Sequence, residues 1–127
     1  MSTSEEHKAI VRHAIEAIWR HDTTVFDDHP GFANTRHTVP LVFAAFPDMV
    51  LTVKRQIAEG DTVATYGMLR GTHRGAFMGI APTNKEIQFQ YLSFNRVAGG
   101  KVVEHNGELG WMSALRQLGV LPLGASS

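Results

Sequence analysis

Apolar residues recur at helical spacing near the amino end of the chain. Val11, Ala14, Ile15, Ile18 and Trp19 share one face of a 3.6-residue repeat. Thr3 and Glu6 stand at capping-box spacing ahead of them, so a first helix is expected to run to about His21–Thr24. Asp27-Asp28-His29-Pro30-Gly31 is turn chemistry and is expected to stop any regular element. Val39, Val42, Phe43 and Phe46 return to helical spacing, with Pro40 tolerable in a first turn and Pro47 ending the helix.

From Met49 the repeat switches to two. Leu51, Val53, Arg55 and Ile57 alternate with their neighbours up to the turn Glu59-Gly60-Asp61, and strand-forming residues resume from Thr62 to Leu69. Gly71, Gly75 and Gly79 interrupt the pattern. Glu86 to Val97 is the clearest strand, with Ile87, Phe89, Tyr91, Ser93 and Asn95 on one face. Ala98-Gly99-Gly100 predicts a hairpin into a returning strand from Lys101 to Leu109. Trp111, Met112, Leu115 and Leu118 predict a short closing helix, with Gly119 at its C-cap and Pro122 beyond. Turns this short require antiparallel strands, and helices grouped ahead of such a sheet predict an α+β fold. A single domain over 1–127 is expected, with helices over about 4–46, sheet over about 49–109 and a last helix over about 111–118.

Composition narrows the chemistry. The 127 residues include 12 basic and 12 acidic side chains, so no net field draws the chain to nucleic acid or anionic lipid, and the basic residues are scattered. A hydrophobic share of 43% excludes a disordered tail. With no cysteine there is no disulfide, thiolate nucleophile or cysteine-held zinc. The polar start MSTSEEHK and the short Val39–Phe46 apolar stretch carry no signal-peptide or membrane-span pattern, which makes a soluble cytoplasmic protein the expectation. Seven histidines remain as the anomaly. His7, His13 and His21 share the first helix without i, i+4 ligand spacing, and no His-x-His or His-Glu-x-x-His occurs, so no metal site is expected.

The second half of the chain resembles the SnoaL-like polyketide cyclases of the nuclear transport factor 2-like superfamily. The resemblance is carried by Ala45-Phe46-Pro47-Asp48, Ala58-Glu59-Gly60-Asp61-Thr62-Val63-Ala64, the run from Leu69-Arg70-Gly71-Thr72-His73 to Ile80-Ala81-Pro82-Thr83, Phe94-Asn95-Arg96-Val97, Gly100-Lys101-Val102-Val103-Glu104-His105 and Leu115-Arg116-Gln117-Leu118-Gly119. It implies a cone: a curved antiparallel sheet wrapped around N-terminal helices, enclosing an apolar pocket and usually dimerising through the outer sheet face. It implies intramolecular aldol cyclisation without metal or organic cofactor, among other activities, since the superfamily also holds isomerases, hydrolases and binding domains. The family's histidine and aspartate fall here on Ser93 and Gly107. Both acid–base groups are replaced.

If Ser93 and Gly107 keep the inward orientation the resemblance implies, strand alternation turns Phe89, Tyr91, Asn95, His105 and Leu109 inward and Glu104, Asn106 and Glu108 outward. His105 is then the candidate acid–base residue, or a core histidine bonded to backbone or Tyr91. Glu108 joins it only through a bulge at Gly107; regular pairing leaves it on the rim or outer face. Tyr91, Ser93 and Asn95 are candidates for orienting a ligand; the alternatives are a core tyrosine at Tyr91 and an Asn95 that satisfies the nearby turn. Trp19 and Phe77 are expected to line or close the apolar interior. His73 is either a contact at the mouth of the cone or a solvated loop residue. His29 and His37, in the segment before the second helix, either reach the ligand or face solvent. A cofactor-free enzyme acting by proton transfer on a small hydrophobic carbonyl or ester compound of polyketide or terpenoid type is the leading expectation; a non-catalytic binding or dimerisation domain is the alternative.

Overall fold

The computed structural model describes residues 3–120. Helix α1 (Thr3–Ile18) is followed by a short helix α2 (Val25–Asp28), a 3₁₀ turn (Pro30–Phe32) and helix α3 (Thr35–Ala45). Four strands come next: β1 (Val50–Glu59), β2 (Thr62–Thr72), β3 (Glu86–Ala98) and β4 (Lys101–Leu109), and helix α4 (Trp111–Gln117) closes the order. The strands form one antiparallel meander in the order β1-β2-β3-β4. The architecture is an α+β cone, with the helices filling the concave side of the sheet.

Period-two alternation decides which residues the helices meet. On β3, Ile87, Phe89, Tyr91, Ser93, Asn95 and Val97 are buried while their neighbours face out. Opposite them on β2 stand Gly71, Leu69, Gly67, Thr65 and Val63, in unbroken register. Two register shifts, between Val53 and Arg55 on β1 and between Arg96 and Val97 in the β3–β4 pairing, add local twist to the outer strands. Val11, Ala14, Ile15 and Ile18 of α1 are fully or almost fully buried, as their spacing predicts.

Three expectations are corrected. The turn-rich stretch around Asp27-Asp28 and Pro30-Gly31 contains α2 and the 3₁₀ turn, because Asp28 and His29 N–H groups still reach the carbonyls of Thr24 and Val25. Helix α3 begins at Thr35, so Pro40 lies inside it rather than in its first turn. The β2 strand continues to Thr72 through Gly71, which pairs with Ile87 where a Cβ would sit 3.1 Å from Phe46 Cβ. The end of α4 follows expectation: Gly119 has φ +82°, and the Gly119 and Val120 N–H groups bond back to Arg116 and Leu115. Pro122 lies outside the described residues.

Candidate functional site

Between the N-terminal half of α3, the middle of β3 and the end of β4 lies a cavity of about 300 Å³. Ile18, Trp19, Val39, Val42 and Leu109 supply its apolar wall, and Tyr91 and His105 are its titratable groups. Asn34 at the N-cap of α3, with Thr35 and Thr38 on it, adds neutral polar groups at the opposite side.

Buried polar side chains at every second position of β3 lie between the two titratable residues. His105 Nδ1 meets Asn95 Oδ1, which can only accept, so Nδ1 carries the ring hydrogen and Nε2 keeps its lone pair. Asn95 Nδ2 donates to Ser93 Oγ at 3.2 Å, and the Ser93 hydroxyl lies near enough to Tyr91 to counter part of the effect of burial on its phenol. Asn95 and Ser93 are 1% and 2% exposed, so these bonds are the ones available to their buried polar groups. The hydrogen bonds run in one sense, from the imidazole N–H through the amide to the Ser93 hydroxyl. At the two ends of this row, His105 keeps a lone pair at Nε2 and Tyr91 keeps its O–H, and both residues line the cavity.

Aromatic rings hold both ends. Phe32, fully buried, packs on His105 with ring centroids 4.7 Å apart, and Trp19 meets Tyr91 edge-on at 6.4 Å. This burial shapes the electrostatics. Desolvation pushes the His105 imidazole down from 6.5 to about 4, so the ring is neutral at pH 7. Desolvation pushes the Tyr91 phenol up from 10.0 to about 12, partly offset by the Ser93 hydroxyl, so Tyr91 stays a donor. Gly107 makes room for the imidazole, since a Cβ there would stand 2.9 Å from His105 Nε2.

The cavity therefore brings together His105, Tyr91 and Trp19, with Ser93 and Asn95 directly behind them. Five other candidates lie elsewhere. Glu108 pairs with Leu92 on the outer face; pairing is regular through Ser93 and Gly107, so there is no bulge to turn it inward. His73 is neither solvated nor at the mouth of the cone. It is fully buried, its Nδ1 receives the Thr83 N–H at 3.2 Å, and its ring packs on Phe46. Backbone bonds from His73 to Lys85 and from Asn84 to His73 fold the 73–85 loop back over it. His29 Nδ1 accepts the Val102 N–H at 2.9 Å, fastening the 3₁₀ turn to β4. His37 is exposed on α3. Phe77 is buried against Phe46 and Trp111, outside the cavity lining. Asn106, an outward position by register, borders the cavity as well because β4 is the sheet edge.

The sequence reading missed Phe32 and the Asn34, Thr35 and Thr38 face. Their helical spacing was readable, but only if α3 is allowed to start ahead of Pro40. Among the described residues, no three His, Asp or Glu side chains are grouped to hold a metal ion. No helix among them is long and apolar enough to cross a membrane.

The family model for "SnoaL-like polyketide cyclase" matches residues 3–118. The chain belongs to this family. A curated relative, nogalonic acid methyl ester cyclase of Streptomyces nogalater, is 28% identical over 106 aligned residues, covering 72% of this chain and 79% of the relative. Among solved structures, AclR of Streptomyces galilaeus, a proposed hydroxylase, superposes with a TM-score of 0.85 at 30% identity, over 94% of this chain and 89% of its own. IdmH of Streptomyces antibioticus, a proposed polyketide cyclase, gives 0.77 at 29% identity, over 90% and 99%. SnoaL-like members thus share this cone under more than one described activity, and the cavity residues must decide what each one does.

Proposed function

We propose that this SnoaL-like chain is a cofactor-independent enzyme that moves a proton on a small hydrophobic carbonyl compound of polyketide type, in a cyclisation or isomerisation. The observation that carries the reading is the placing of His105 and Tyr91, a base and a donor, on one apolar cavity, with Asn95 and Ser93 holding the imidazole from behind. His105 Nε2 takes a proton from the carbon beside a carbonyl, and the Nδ1–H bond to Asn95 holds the ring and stabilises the imidazolium that forms. Tyr91 O–H donates to the oxygen on which the enolate charge develops. The imidazole then returns its proton to the carbon skeleton or to the new alkoxide, so protons balance and no external oxidant is used. An imidazole held near 4 is a weak base, which favours a substrate whose carbon acid is flanked by two carbonyl groups, such as a β-keto ester. The relation to a methyl ester cyclase agrees with that class.

The competing reading is a non-catalytic binding domain. Against it stand His105 and Tyr91 on the cavity, with buried Asn95 and Ser93 behind them, where simple packing would use apolar side chains. His105→Gln keeps the size and hydrogen-bonding character of the side chain while removing the base. It should lower turnover of a cyclisable β-keto ester about a hundredfold or more, the low end for a general acid–base group. Unchanged turnover would take His105 out of the mechanism.

The second part of the proposal concerns assembly. Ile57 on β1, Ala64 on β2 and Phe94 on β3 pair in one row across the outer face, with Leu92 beside them. Ile57 and Phe94 are 57% and 61% exposed. An apolar row across a sheet favours a homodimer formed by this face.

A further inference from the structure

A second cavity, of about 240 Å³, lies on the other side of α3. Its wall is apolar, built from Phe26 of α2 and from Pro40 and Phe43 of α3, and the turn residues His21, Asp22 and Thr23 form a polar lip. Ile18 and Val39 line both this cavity and the one holding His105 and Tyr91. The two cavities therefore share these two aliphatic side chains as a common wall. Neither side chain makes a hydrogen bond, so displacing the two to join the spaces breaks none, although both are buried at 3% and 6% exposure.

Volume gives the reason to join them. Small-molecule sites typically enclose roughly 300–1,000 Å³. The His105 cavity sits at the bottom of that range and the second cavity falls below it, while the two together lie well inside it. We infer that the second cavity is a subsite for the apolar end of the same ligand. The reacting carbonyl sits at His105 and Tyr91, and an alkyl chain or distal ring passes between Ile18 and Val39 toward the lip at His21–Thr23. The occupant is apolar because Phe26, Val39 and Phe43 offer it no polar partner, and its far end meets water at the lip. The inference rests on the proposed carbonyl site and adds which substrates fit it: those extended by an apolar arm, with Ile18 and Val39 setting the limit.

The test compares a naphthyl methyl ketone with the corresponding naphthyl hexyl ketone by titration calorimetry. Each buried methylene is worth about fourfold in affinity, so wild type should bind the hexyl ketone at least about tenfold more tightly. Thr23→Trp and Pro40→Phe each fill the second cavity without touching the first. Both should abolish the advantage of the hexyl ketone while binding the methyl ketone as wild type does, and that retained binding shows the variants are folded. Equal affinity of wild type for the two ketones, or an advantage that survives in both filled variants, overturns the subsite and leaves the carbonyl site standing. Failure of wild type to bind the methyl ketone overturns the carbonyl site itself, and the subsite with it.

Discussion

His105 shows how one side chain acquires its chemistry from its neighbours. The same imidazole in water titrates near 6.5; under Phe32 and against Asn95 it is held to about 4. The unfolded chain then binds a proton at a pH where the native chain refuses it. Stability is therefore full above about pH 6.5 and falls as pH drops toward 4. At about 1.4 kcal/mol per unit, roughly 2 kcal/mol of the difference is lost between pH 7 and pH 5. Urea unfolding of wild type and of His105→Gln at the two pH values measures this term as the difference in their losses. His29, also pushed down by desolvation, adds a loss of the same sign that is common to both proteins. Equal pH dependence of the two would mean that His105 titrates as it does in solution. Glu108 makes the complementary point. Regular pairing places its carboxylate on the far side of the sheet, away from the cavity.

At the scale of elements, the short 3₁₀ turn Pro30–Phe32 positions the site more than its length suggests. It lies against the edge strand β4, held by the His29–Val102 hydrogen bond, and it delivers Phe32 onto His105. Gly31 permits the approach, since a Cβ there would sit 2.7 Å from Glu104 N and 2.8 Å from Val103 C, both backbone atoms that cannot rotate aside. Gly31→Ala should force the turn away from β4 and cost about 1–3 kcal/mol, the usual range for overpacking. Chemical denaturation gives the number, and an unchanged midpoint would show that the turn does not bear on β4. This element was not legible in the chain. Asp27-Asp28 and Pro30-Gly31 read locally as a loop, and only a neighbouring strand edge with free N–H groups makes that loop an ordered cover. The strands β1 to β4 and helices α1 and α4 were legible, because each carries its own repeat in apolar residues and its own turn or cap residues.

At the scale of the whole molecule, the sheet has one face toward the helices and one toward solvent, and the solvent face retains Ile57, Leu92 and Phe94. If that face joins two copies, a charge at its centre should separate them. Sedimentation velocity is expected to give a dimer for wild type and a monomer for Phe94→Glu, with the far-ultraviolet spectrum unchanged. A wild type that sediments as a monomer would reject the assembly. The internal core does not depend on this face, so the variant's midpoint in urea should shift only through loss of the partner.

What the chain determined by itself was periodicity: which residues alternate, where the turns fall and therefore which side chains share a face. Tyr91, Ser93 and Asn95 were grouped on that basis, and the resemblance carried by residues 45–119 supplied the cone. Tertiary structure decided everything that depends on what lies opposite a face. It buried His73 under its own loop, fastened His29 to Val102, sent His37 to solvent and brought Asn34, Thr35 and Thr38 across from His105. The physical reason is range. Alternation and capping act between residues a few positions apart and are written in the sequence. Desolvation, hydrogen-bond partners and cavity walls here come from segments as distant as His29 and Val102, and only their packing sets a proton's affinity or a ligand's fit.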